Sequence, residues 1–86
     1  MISSVVLTGI LKDNYKSHYR FIETHHNDPF DGQNDAVSLI PLAYWTKETD
    51  NVLFKTPKGT RVVIRGHLET AMDVGLYVVV EILEVE

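Results

Sequence analysis

Between residues 12 and 20 the chain reads KDNYKSHYR, three cations interleaved with two tyrosines and a histidine. Cations release the counterions that cluster on phosphates, and aromatic faces stack on planar bases, so this mixture suits a single strand of nucleic acid. The candidate residues are Lys12, Tyr15, Lys16, His18, Tyr19 and Arg20, with Phe30 added from the segment that follows. A plainer reading places Tyr19 or Phe21 in a core and leaves the cations to solvent. A second basic stretch, PKGTRVVIRGHLET at residues 57 to 70, puts Val62, Ile64 and Leu68 on one strand face and Arg61, Val63, Arg65 and His67 on the other. That outer face is either an anion site or a solubilising surface. Arg61 and Arg65 act together with the first cluster only if both regions face one groove.

Other chemistries find less to work with. His25 and His26 are adjacent, so a strand would point them to opposite faces, and with no cysteine in the chain a metal site is not expected. Asp28, Asp31 and Asp35 lack the twelve-residue spacing and closing glutamate of a calcium loop. Ser3 and Ser4 have no nucleophile-elbow context, and no glycine-rich phosphate loop is present, so neither catalysis nor a cofactor is expected.

The elements that must hold these residues read as five short strands. SVVLTGIL at residues 4 to 11 is a strand with a bulge or bend predicted at Gly9. HYRFIETHH at 18 to 26 is the second strand. NDPFDGQND at 27 to 35 gathers turn-forming residues and reads as a long exposed loop carrying Phe30. AVSLIPLAYW at 36 to 45 is the third strand, with Pro41 demanding an edge or a bulge. TKETDNVLFKT at 46 to 56 predicts one or two helical turns capped by Thr46, and the fourth and fifth strands run over 60 to 70 and 76 to 86. One of Tyr44 and Trp45 should pack beneath the helix; the other, Trp45 for preference, is a candidate stacking residue. Tyr77 reads as a core or interface residue.

Strand, strand, loop, strand, short helix, strand, strand is the order of an all-β, five-stranded Greek-key barrel of the OB-fold type. A barrel of the SH3 kind would usually lack the helix between the third and fourth strands. Eighty-six residues predict one domain that buries roughly 60 to 65% of the surface its unfolded form exposes. The formal net charge of −4 hides alternating blocks, +2 over residues 12 to 20 and +3 over 47 to 66 against acidic segments between and after them. The start, MISSVVLTGILKD, has no basic leader and no long apolar run, which predicts a soluble cytoplasmic protein with no membrane contact.

Three stretches, SSVVLTGILKD, KGTRVVIRGHLET and GLYVVVEILEVE, together resemble the bacterial single-stranded-DNA-binding protein family and its short-looped primosomal relatives. They match the family's first, fourth and fifth strands: an apolar strand broken by Gly, a Lys-Gly turn leading to apolar-x-Gly-x-Leu, and a Tyr-led apolar strand with Glu near its end. The resemblance covers about half the chain. It implies an OB fold, stacking of bases on aromatic rings, a homodimer or homotetramer joined through strand 1, and work in DNA replication, recombination or transfer beside protein partners of those pathways. Two positions depart from the family. The outer face of strand 3 reads Val37, Leu39 and Pro41 instead of aromatic and basic residues, and the hairpin between strands 4 and 5 is cut to AMDVG. These departures support an alternative, an OB scaffold turned to protein contacts.

Overall fold

The computed structural model describes residues 4–28, 31–46 and 50–86, with backbone only for 26–28 and 31–36. Its elements are β1 (Val5–Tyr15), β2 (Tyr19–Asp28), β3 (Asp31–Tyr44), α1 (Val52–Lys55), β4 (Arg61–Ala71) and β5 (Gly75–Val85). The strands close into a barrel in the order β1-β2-β3-β5-β4, with β1 joining β4 to seal it. All neighbours are antiparallel except β3 and β5, which pair in parallel over three residues, Leu42–Tyr44 against Val78–Val80. This is the predicted OB-type barrel with its helix between the third and fourth strands.

Period-two alternation in β4 and β5 fills the interior. Val62 and Ile64 share the interior with Val78 and Val80 of the neighbouring strand, and Leu11, Ile22, Leu42 and Leu53 complete the buried cluster. Removing such side chains from water contributes roughly 1.5–3 kcal/mol each, the main favourable term for a barrel this small.

β1 is longer than its aliphatic run because it serves two neighbours. Residues 5–10 pair with β4, and residues 10–15 pair with β2 with an irregularity between Leu11 and Asn14. Two residues, Lys12 and Asp13, oppose Phe21 there, so the bulge predicted at Gly9 falls later in the strand. Gly9 has a different task. A Cβ on it would lie 2.3 Å from the Glu23 carbonyl oxygen, so the glycine lets β1 and β2 close on each other.

Within the segment 27–35, expected as a long loop, residues 27–28 and 31–35 instead carry the β2–β3 ladder outward. Thr24 pairs with Ser38, His25 with Val37, His26 with Ala36 and Asn27 with Asp35, with a register shift before Asp28 meets Asp31. Asn, Asp and Gly disfavour strands only weakly, and a ladder already formed overrides them. Phe30 lies outside the described residues.

α1 is a single turn, and its cap is Asn51 in place of Thr46: Asn51 Oδ1 accepts from the N–H groups of Leu53 at 3.0 Å and Phe54 at 3.3 Å. Four residues cannot hold a helix by propensity. This one stands because Leu53 is buried in the barrel and its end carbonyls are gripped by β2.

Candidate nucleic-acid interface

Tyr15 and Tyr19 close the β1–β2 hairpin around the turn Lys16-Ser17-His18, with Lys16 at φ 56°. Beyond the bulge the Tyr15 ring stacks on Phe21, centroids 4.8 Å apart and planes 29° from parallel. Both rings are half-buried, and Phe21 sits opposite Pro41 on the outer face of β2 and β3. The Lys16 ammonium lies 5.5 Å from the Tyr15 centroid, donates to the Asp73 carbonyl at 3.1 Å and stands 3.8 Å from its carboxylate. The β1–β2 and β4–β5 turns are thereby tied together beside the aromatic pair.

Lys12 continues this face. Its ammonium is 3.0 Å from Glu23 Oε2, while Glu23 Oε1 meets His25 Nε2 at 2.8 Å. The Lys12 hydrogen bond, followed by that of His25, holds the Glu23 carboxyl below the ordinary carboxylate range. Lys58 does the same for Asp13 from 2.8 Å, fastening the bulge to the turn before β4.

Two of the expected site residues do not reach this surface. Tyr19 is 3% exposed, its ring edge-on to Tyr77 at 5.3 Å and tilted against His18 at 4.4 Å. Burial, then the nearby Asp73 charge, pushes its hydroxyl pKa upward. Arg20 is 4% exposed and points into the end of the barrel, where its guanidinium donates to the carbonyls of Leu53 at 2.7 Å, Thr56, and Lys12 at 2.9 Å. Burial draws its pKa down, with Asp13 opposing, and none of its cation is offered to solvent phosphate. Alternation decides this: Ile22 faces in, so Arg20 does too, and Phe21 faces out. Phe21, set aside as a core alternative, is the aromatic the outer face gains. The in-phase positions 20 and 22 were the signal for it.

The two arginines of β4 divide. Ile10 of β1 pairs with Glu23 on one side and Arg61 on the other, and Arg61, Glu23 and His25 line a groove of about 310 Å³ with Thr8, Gly9 and Ile10. Arg61 thus shares a groove with Glu23 and His25. Arg65 stands apart with Val63, Ile82 and Glu84. Tyr44 packs against the core, whereas Trp45 is 63% exposed and touches Tyr44, ring centroids 5.9 Å apart. His18 Nδ1 hydrogen-bonds Ser17 Oγ at 2.9 Å. Among the described residues no cluster of metal-ligating side chains forms, and no helix is long and apolar enough to cross a membrane.

No family model matches the chain, and no curated protein matches it in sequence. Solved structures match it in shape over nearly its whole length. The mitochondrial single-stranded DNA binding protein of S. cerevisiae superposes with a TM-score of 0.64 at 13% identity, covering 99% of this chain and 93% of that one. A small single-stranded DNA-binding protein from Streptomyces coelicolor gives 0.64 at 11% identity over 100% and 95%. An OBody bound to hen egg-white lysozyme gives 0.57 at 18% identity over 98% and 93%. What these likenesses show is the fold: the chain is an OB barrel of the shape that single-stranded DNA-binding proteins have.

Proposed function

We propose that this protein binds single-stranded nucleic acid, DNA first, with little sequence preference, in replication, recombination or transfer of DNA. The observation that carries the reading is the Tyr15–Phe21 stack on the outer face of β1 and β2, rimmed by Lys12, Lys16 and, across β1, Arg61. The shape shared with two single-stranded DNA-binding proteins supports it. Bases stack on the rings and phosphates exchange with Glu23 and Asp73 for the lysines. The chain acts as a single OB-fold domain, a binding protein and not an enzyme, and it self-associates through the outer face of β1, β4 and β5. Arg65 belongs to that face and Trp45 to the margin of the nucleic-acid path.

Fluorescence anisotropy of a labelled oligothymidine at two salt concentrations, with duplex as control, tests the proposal. Saturable binding that prefers the single strand and weakens with salt is expected. Phe21→Ala should cost about 1–3 kcal/mol of affinity through lost stacking. Arg61→Ala should flatten the salt slope, and Glu23→Gln should strengthen binding by releasing Lys12. A folded protein that binds no oligothymidine even at low salt would end this reading.

A second reading, an OB scaffold used for protein contacts, is favoured by one observation: Val37 and Leu39 present apolar side chains on the outer face of β3, 56% and 54% exposed. The OBody, a chain of the same shape bound to lysozyme, is a precedent for the scaffold.

A further inference from the structure

The parallel β3–β5 ladder has three pairs and ends at Leu42 and Val78. Before Leu42, β3 continues back through Pro41, Leu39 and Val37 with β2 on one side and, among the described residues, no strand on the other. The Trp45 N–H donates to the Val80 carbonyl at 3.2 Å, which fixes the odd-numbered positions of β3 as those whose backbone faces away from β2. The N–H and C=O groups of Val37 and Leu39 therefore point into the open side. Pro41, which has no N–H to offer, falls in the same phase and so costs the β2–β3 ladder nothing.

Where β3 and β5 part, a cavity of about 290 Å³ opens into the barrel. Leu39, Ile40 and Pro41 wall it on one side and Leu76, Tyr77 and Val78 on the other, over a floor of Val5, Leu7 and Leu68. Among the described residues no charged side chain lines it. A dry apolar cavity of about 150 Å³ already accepts a benzene-sized group. Unpaired strand groups beside an apolar pocket are the two requirements for adding a strand: the edge supplies main-chain hydrogen bonds, and the pocket selects a side chain.

We propose that the free edge of β3 between Val37 and Pro41 receives an extended segment of another protein, which adds as a strand and places one large apolar side chain in the cavity between β3 and β5. The segment is uncharged at that position because none of the described residues that line the cavity could pair a charge. The edge runs along the side of β3 turned away from β2, although Pro41 is the cross-strand partner of Phe21, and the proposal does not depend on nucleic-acid binding.

The probe is a fluorescent heptapeptide of alternating Thr and Val with a central Leu, titrated into the ¹⁵N-labelled protein and compared with the same peptide carrying a central Asp. Saturable shifts at the Val37 and Leu39 amides, slowed hydrogen exchange there, and at least tenfold weaker binding of the Asp peptide are expected. Leu76→Glu, at an exposed position on the cavity mouth, should weaken the Leu peptide about tenfold while leaving the melting temperature and the oligothymidine affinity as they were. Equal binding of both peptides, or none at millimolar concentration, overturns the proposal. So does protection of the two amides in the free protein: independent of concentration it would mean the chain covers its own edge, and rising with concentration that a second copy does. Oligothymidine, if the nucleic-acid reading holds, shifts residues 12–21 instead, so the two readings fail separately.

Discussion

Arg20 shows how a residue that looks available for phosphate can be spent inside the barrel. Its guanidinium satisfies the carbonyls of Lys12 on β1, Leu53 in α1 and Thr56 at the helix C-cap, tying α1 to the paired strands β1 and β2. Among the described residues no carboxylate pairs with it at short range, and its charge rests on these oxygens. Arg20→Ala should lower stability by about 2–4 kcal/mol in urea denaturation, because the carbonyls lose a charged donor in a place water does not reach. Arg20→Lys should recover only part, since an ammonium cannot reproduce the planar fork. Nothing in KDNYKSHYR distinguished this cation from Lys12 and Lys16. The phase set by Ile22 did, once the strand direction was known.

The strands are brought close at two points by the absence of a side chain. On β4, a Cβ at Gly66 would lie 1.9 Å from the Val79 carbonyl oxygen, a backbone atom that cannot step aside. The register of β4 and β5 shifts at this position, with Glu81 left over on β5 between Val80 and Ile82. His67 Nδ1 meets the displaced Glu81 at 2.6 Å, so a cross-strand contact bridges the irregularity. Gly66→Ala should therefore destabilise by about 1–3 kcal/mol or more in a thermal melt, whereas Gly59→Ala, whose Cβ meets nothing within 4 Å, is limited to its positive-φ strain. The hairpin of β2 and β3 teaches the opposite lesson. Its turn-rich sequence argued for a loop, and pairing inherited from the barrel kept it a ribbon.

At the scale of the whole molecule the barrel shows three distinct surfaces. The aromatic face lies over β1 and β2, the open edge lies along β3, and the outside of β1, β4 and β5 carries Val6, Arg65 and Ile82 in one row across three strands. Val6 and Ile82 are exposed, with Glu84 beside Arg65. A second copy turned by a two-fold axis would cover the two apolar residues. Sedimentation velocity should show an oligomer that Ile82→Glu dissociates, and a monomer at all concentrations for the unmodified protein would remove this surface from the assembly.

Local pattern determined most of the scaffold. Alternation in VVLTG, RVVIRG and LYVVVEIL fixed β1, β4 and β5 and their inner faces, because one residue of slip would turn each apolar row to water. It also placed Val37 and Leu39 outside. Sequence spacing could not say which cations remain free, because that depends on partners brought from elsewhere in the chain: α1 takes Arg20, Asp73 takes Lys16, and Glu23 takes Lys12. Nor could it show where β3 leaves β5. Opening a ladder is a property of how two strands diverge around a closed barrel, and only the tertiary structure decides it.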